Sequence, residues 1–286
     1  MIIIKQAVRL QEYLTLQAGR GLISGFVPTM GALHQGHLSL IAESRKHAGI
    51  TVCSIFVNPT QFNDPKDFDK YPKTLEQDIL LLEKAGTDIL FLPSVNEMYP
   101  EGLTNLEHYD LGYLETILEG KFRPGHFQGV CQVMYRLLKL VDPDLLFMGQ
   151  KDYQQCMVVK RLLTLMESKT KLVPSPTVRE SSGLAMSSRN MRLSTDQRSE
   201  AVDISTTLQF IKENLRDQPV SQLKAAATEK LQKGGFRVDY VEICNADTLE
   251  PVDTWDDKTP LVALVAAFLG DIRLIDNMIL TEIADN

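Results

Sequence analysis

No apolar run in this sequence approaches the roughly 20 residues that a membrane-spanning helix needs. The late stretch LVALVAAFL (261–269) falls far short of it. At the start, three isoleucines follow Met1 before Lys5, too few for the apolar core of a secretory signal. Positive charge is also scarce: 30 Lys and Arg against 37 Asp and Glu give a formal charge of -7. A large non-specific nucleic-acid surface relies on excess Lys and Arg and is excluded, so any anionic ligand must be gripped by a local cluster. The four cysteines, Cys53, Cys131, Cys156 and Cys244, form neither a CxxC pair nor a zinc spacing. They are expected to be reduced core residues of a cytoplasmic protein. There is one Trp, and no internal repeat or low-complexity segment stands out. What remains, 44% hydrophobic and 23% charged, is the composition of a soluble globular chain, neither disordered nor fibrous.

Through residue 175 or so, short β-rich runs alternate with helical patterns, the signature of βαβ units. ISGFVPT (23–29), ITVCSIFV (50–57), DILFLP (88–93), DLLFMG (144–149) and KLVPSPTV (171–178) read as strands. Between them, LSLIAESRKHA, TLEQDILLLEKAG, GVCQVMYRLLKLV and YQQCMVVKRLLTLM read as helices. Thr74 with Gln77 at N3 predicts a capping box, and Gly86 a C-cap. Near Pro176 the order changes to helices over 195–214 and 220–233, then FRVDYVEICNA and two apolar runs joined by Gly270-Asp271, a hairpin signal. The expected fold is a Rossmann-like, doubly wound parallel sheet over residues 1–176, with a smaller α+β domain over 177–286.

Ligands of doubly wound sheets bind at the carboxyl ends of strands, where loops lead into helix N-termini. PTMGALHQGH (28–37) occupies such a place. A helix start offers backbone N–H groups and partial positive charge to a phosphate. Gly31 and Gly36 permit close backbone approach, and His34 and His37, at i and i+3, can face one ligand. The same histidines would also serve if they merely capped the helix or packed within the loop. As a metal pair they fit poorly: zinc helices space their histidines at i and i+4, and no nearby Cys or carboxylate completes a set.

Two further clusters accompany it. In MGQKDYQQ (148–155), Gly149 allows close approach, Lys151 supplies a point charge, Asp152 can accept from a ribose hydroxyl or cap the helix, and Gln155 offers an uncharged amide. A solvated helix start is the plainer reading of that segment alone. In LAMSSRN (184–190), Ser187, Ser188 and Arg189 form a set suited to a phosphate, although SSRN alone is a common loop. Three such clusters together exceed coincidence.

With FVNPTQF (56–62), FRPGHFQGV (122–130), PTVRESSGLAMSSRN, VDYVEICNADTLEPV and RLIDN (273–277), these stretches make the chain resemble the pantoate–β-alanine ligase (pantothenate synthetase) family, relatives of the HIGH-type nucleotidyltransferases. The resemblance spans nearly the whole chain. It implies a two-step reaction in which pantoate and ATP form pantoyl adenylate and pyrophosphate, and β-alanine then displaces AMP. Magnesium would accompany ATP, with no protein metal site assigned. By position, Met30, Gly31, Ala32, Leu33, His34, Gln35, Gly36 and His37 would line the ATP site, with His37 as proton donor and His34 on the phosphates. Gly149, Gln150, Lys151, Asp152, Val178, Met186, Ser187, Ser188 and Arg189 would complete it. Gln61 would contact pantoate and β-alanine, and Gln155 pantoate. The catalytic set is then His37, His34, Lys151 and Arg189.

A cytoplasmic homodimer is implied, with neither nucleic-acid nor membrane partners. The smaller domain, and the polar loop NDPKDFDKYP (63–72) as a lid, would close over the reactive adenylate. Gln150 stands where the family often has Glu, and Ser182 where Asp is common. Two other readings are a different adenylyl or cytidylyl transferase using the same HxGH site, and a non-catalytic nucleotide-binding protein. The latter sits poorly with the presence of His34, His37 and Lys151 together.

Overall fold

The alternation of buried strands and amphipathic helices closes into one parallel sheet in the computed structural model, which describes residues 1–62, 68, 69 and 71–281. Most of the loop expected to act as a lid, positions 63–67 and 70, lies outside the described residues. By internal packing the chain forms two units, Met1–Gln150 with Gln154–Pro176, and Lys151–Tyr153 with Thr177–Asn286.

The first unit runs β1 (Ile2–Ile4), α1 (Ala7–Ala18), β2 (Ser24–Thr29), α2 (Gln35–His47), β3 (Ile50–Ile55), α3 (Leu75–Ala85), β4 (Ile89–Phe91) and α4 (Val95–Met98). It continues with α5 (Leu118–Phe122), α6 (His126–Val141), β5 (Leu145–Gly149), α7 (Tyr153–Leu165) and β6 (Lys171–Ser175). The strands pair in the order β1-β4-β3-β2-β5-β6, and every pairing is parallel. A sheet covered on both faces needs apolar residues on both sides of its strands. All six residues of β3 are accordingly buried, and Val27, Cys53, Leu90 and Phe147 are fully enclosed. From β2 the chain leads to β3 on one side, and from β5 to β6 on the other. The junction of β2 and β5 is therefore the topological switch point, where the carboxyl ends splay to admit a ligand.

The second unit contains α8 (Thr195–Glu200), α9 (Val202–Asn214), α10 (Val220–Lys233), β7 (Arg237–Asn245), β8 (Leu261–Leu269) and β9 (Ile272–Ile279). Its strands form an antiparallel sheet in the order β7-β8-β9. Leu269 pairs with Ile272 across Gly270-Asp271, the two-residue turn that the sequence signals, with Gly270 at φ 57. Leu208, Leu223, Ala227, Leu231, Ile243 and Val265 are fully buried where α9 and α10 cover the sheet.

The structure departs from the sequence reading in several places, the short helices α4 and α5 among them. β1 and α1 have no counterpart in it. Helix 195–214 divides at Ala201 into α8, which has its own Ser194/Gln197 capping box, and α9. The strand expected over KLVPSPTV ends at Ser175, before Pro176. Thr74 precedes α3 without capping it: its backbone, at φ -123 and ψ 38, lies outside the extended conformation of an N-cap, and its hydroxyl donates to Asp78 Oδ1 at 3.1 Å. Gly86 does end α3 in the left-handed conformation, at φ 80.

Candidate active site

The loop between β2 and α2 turns sharply through two consecutive left-handed residues, Gly31 at φ 81 and Ala32 at φ 48. An alanine there is strained, and the strain has a visible restraint. Asp78, 2% exposed on α3, accepts from the backbone N–H of Ala32 at 3.0 Å and of Leu33 at 2.8 Å. A Cβ at Gly31 would press on the same carboxylate at 3.1 Å and on Ile55 at 3.2 Å. One buried carboxylate thus fixes the turn that delivers His34 to the start of α2.

His34 is the N-cap of α2, and both histidines take part in a capping box. His34 Nδ1 accepts from the Gly36 N–H at 3.1 Å, and His37 Nδ1 accepts from the His34 N–H at 3.3 Å. The ring centroids lie 4.1 Å apart. An acceptor nitrogen carries no proton, so each neutral ring holds its proton on Nε2. Capping thus occupies Nδ1 of each ring and leaves the proton on Nε2. The Gly36 N–H, expected to face a phosphate, is occupied by the His34 ring. A helix start also carries a partial positive charge through its dipole.

At the end of β3, Asn58, Thr60 and Gln61 form a tight polar turn. Asn58 is 1% exposed, and its Oδ1 accepts from Tyr99 OH at 2.7 Å and from Thr60 N at 3.4 Å. Its Nδ2 donates to Gly129 O at 3.0 Å and to Gln61 Oε1 at 3.2 Å. That orientation fixes the Gln61 amide, whose Nε2 donates to Met30 Sδ at 3.1 Å. Gln61 and the loop after β2 are thereby joined. Burial chiefly raises the Tyr99 phenol above its ordinary pKa, keeping it a neutral donor to Asn58.

Beyond β5, a Cβ at Gly149 would meet nothing within 4 Å, so the protein's own packing leaves the strand end open. The two glutamines that follow differ sharply. Gln154, 2% exposed, accepts from Glu119 N at 2.9 Å and donates to Leu114 O at 2.8 Å and Ile117 O at 3.0 Å. Gln155 is half-buried, and its side chain makes no hydrogen bond to another described residue. The first glutamine is spent on the fold, and the second is not. A cavity of about 400 Å³, bordered by Gln17, Ser24, Asp142 and Asp144, lies at the amino ends of the strands, the wrong end of the sheet for a ligand of this fold.

Within the second unit, Asn277 Nδ2 donates to Lys151 O at 2.8 Å. The neighbouring Asp276, 5% exposed, holds Arg179 through a two-pronged pair at 2.6 and 3.1 Å. Residues 97 positions apart in the chain are thus paired. Val178 O accepts from Met186 N at 3.0 Å, closing a hairpin whose turn contains Gly183 at φ 97. Ser182 Oγ accepts from Leu184 N at 3.4 Å, the kind of local bond that an Asp makes more strongly, so this departure from the family pattern keeps the turn. Ser187 caps the next turn by accepting from Arg189 N at 3.2 Å, and the buried Asn190 latches it to Ala185 O at 3.0 Å. Arg189 and Met186 are half-buried, Ser188 is buried and Asp152 is exposed.

Comparison with known proteins decides the lineage. The pantoate–β-alanine ligase family profile matches residues 2–279. The chain belongs to the pantoate–β-alanine ligase family. It is 44% identical to a pantothenate synthetase of Bacteroides thetaiotaomicron, covering 96% of this chain and 97% of that one. Another, from Aeromonas hydrophila, is also 44% identical, over 98% of this chain and 99% of its relative. The crystal structure of pantothenate synthetase from Thermus thermophilus superposes with a TM-score of 0.91 at 39% identity, covering 99% of this chain and 100% of that one. The pantoate–β-alanine ligase of Francisella tularensis, described as complexed with β-γ ATP and β-alanine, gives a TM-score of 0.79 at 36% identity over 98% of both chains. The parallel sheet with a small antiparallel C-terminal sheet is the architecture of this family, whose members are ATP-dependent ligases.

Asp78, Asn58 and Gln154 hold this site together, and none was singled out from sequence. Asp78 had a signal: with Leu75 and Leu82 it falls on one face of α3, and a carboxylate on an apolar face needs a partner.

Proposed function

We propose that this protein condenses pantoate with β-alanine at the expense of ATP, through pantoyl adenylate. A pantoate carboxylate oxygen attacks the α-phosphorus, and the bond to pyrophosphate breaks. The β-alanine amine then attacks the acyl carbon, and AMP leaves carrying the bridging oxygen. Neither step needs a nucleophile from the protein; both need alignment and stabilisation of charge. His34 and His37 would donate from Nε2 to the phosphates, with His37 as proton donor, and Lys151 and Arg189 would add positive charge. Met30–His37, Gly149–Asp152, Val178 and Met186–Arg189 would bind ATP. Gln61 would hold pantoate and β-alanine, and Gln155 pantoate, as neutral amides that avoid an ion pair blunting the attacking oxygen.

The observation that carries this reading is the pair of cap-bound imidazoles at the sheet's switch point, beside a Gln61 amide fixed by Asn58. Among the described residues no group of three or more His, Cys, Asp or Glu side chains is assembled to hold a metal. Mg²⁺ would come with the phosphates of ATP, the usual mode for this ion. Closure of residues 177–286 over the nucleotide, a homodimer and a cytoplasmic location complete the proposal. No helix among the described residues is long and apolar enough to cross a membrane.

The test is one incubation with ATP, pantoate and β-alanine, followed for AMP and the amide. Amide formation with AMP release dependent on β-alanine is expected, and His37→Ala should lose it. Nucleotide transfer as the final product would favour the other transferase reading.

A further inference from the structure

Gln61 is held at its side chain by Asn58; its backbone is held by a residue to which the reaction gives no role. His126 Nδ1 lies 2.8 Å from Gln61 O, and His126 Nε2 lies 3.0 Å from an Arg123 guanidinium nitrogen. A carbonyl has no proton to give, and a guanidinium has no lone pair to offer. Only one arrangement satisfies both contacts: His126 is neutral, with its proton on Nδ1 and its lone pair on Nε2. This is the opposite tautomer to that of His34 and His37.

The support extends outward. The Glu119 carboxylate lies 3.7 Å from Arg123 NH1, and Glu119 N is held by Gln154 Oε1 at 2.9 Å. His126 is 5% exposed and Glu119 7%, so both polar groups are largely shielded from water. Beneath the turn, a Cβ at Gly129 would collide with Thr60 O and Gln61 Cα, so the backbone of the turn rests directly on α6.

We propose that His126 is a positioning residue for pantoate, fixing Gln61 through its carbonyl, with Arg123 and Glu119 fixing the ring. The sequence of contacts runs from Gln61 through His126, Arg123 and Glu119 to Gln154, the neighbour of Gln155. It ties together the supports of the two glutamines assigned to one substrate. The proposal rests on the assignment of Gln61 to pantoate.

The test compares His126→Phe, which keeps a ring but no donor, with His126→Asn, whose amide nitrogen falls near the place of Nδ1. His126→Phe is expected to raise the pantoate KM about tenfold or more in pantoate-dependent pyrophosphate exchange, with the ATP KM unchanged, and His126→Asn to restore most of it. Equal defects in the two variants, or a matching rise for ATP, would overturn the proposal. An arm independent of activity uses NMR of the ¹⁵N-labelled protein. The His126 ring should carry the Nδ1–H signature, and the Gln61 side-chain amide should move in the Phe variant and return in the Asn variant. An Nε2–H ring or an unmoved Gln61 amide would overturn the positioning role. Wild-type protein that shows these signals but no exchange with pantoate would instead count against the proposed reaction, and would confine His126 to holding Gln61.

Discussion

The backbone N–H of His34 donates to Nδ1 of His37 at 3.3 Å, so the second histidine of the motif orders the residue that carries the first. With the N3 backbone in turn on the His34 side chain, and Gly36 N also donating to His34 Nδ1, the helix start carries a capping box built from imidazoles where Ser and Glu are more usual. Each ring thus uses Nδ1 on the helix, and under the proposed function Nε2–H would serve the phosphates.

That division can be separated by mutation. Asn is among the best N-cap residues, so His34→Asn should retain stability, whereas His34→Ala should lose ~1 kcal/mol. Both should slow adenylation, by about a hundredfold if one donor to the developing charge is lost. Thermal unfolding and pantoate-dependent pyrophosphate exchange read the two effects.

Asp78→Ala should strip two N–H groups of their acceptor, the buried one of Ala32 and the partly buried one of Leu33, at ~1–3 kcal/mol for a buried group left unsatisfied and less for the other. It should also release the left-handed turn at Gly31 and Ala32. A lower Tm together with a higher KM for ATP is expected, with Asp78→Asn intermediate because it keeps one acceptor oxygen.

The adjacent glutamines should give contrasting phenotypes. Gln154→Leu removes three buried hydrogen bonds and should lower stability by a few kcal/mol, on the order of ~1–3 for each stranded group. Gln155→Leu should leave the melting temperature nearly unchanged and raise the pantoate KM. Melting curves and substrate titrations of the two variants check this directly.

Much of this site was legible in the sequence because its chemistry sits on local motifs. PTMGALHQGH, GQKDYQQ and LAMSSRN all fall at loops or helix starts, and the period of the flanking runs identifies the strands and helices. The supports were less legible because they act across distance: Asp78 holds residues 45 and 46 positions away, and Asp276 holds Arg179 across 97. Local propensity also misled at Thr74, whose backbone lies outside the extended conformation that a capping residue needs. α1 was missed although Leu10 and Leu14 lie one helical turn apart on its buried side. Its weak N-terminus, Gln6 without a side-chain cap bond, gave no start signal.

Burial pushes the thiols of Cys53, Cys131 and Cys244 up to about 12, and all four cysteines are buried thiols outside any disulfide. Since the thiolate is the reactive form, the native protein should resist a thiol reagent at pH 8, and denaturant should expose all four thiols. Rapid labelling of native protein would contradict the buried placement.

The Arg198 guanidinium, bonded to Glu180 at 2.7 Å, holds the Glu180 carboxyl below its ordinary pKa. A depressed carboxylate stabilises the fold above its unfolded pKa, and the contribution is lost as pH falls through the folded value. Wild type should therefore exceed Glu180→Gln in stability at pH 7. The gap should narrow below the usual carboxylate range and close in stronger acid, as followed by denaturant unfolding across pH.

The central claim is that pantoate is activated by transfer of an adenylyl group to its carboxylate. Pantoate labelled with ¹⁸O in the carboxylate, turned over with ATP and β-alanine, reports this in the mass of the released AMP. The account predicts one ¹⁸O atom in the AMP phosphate for each amide formed. Unlabelled AMP, with the label instead in inorganic phosphate or pyrophosphate, would contradict it.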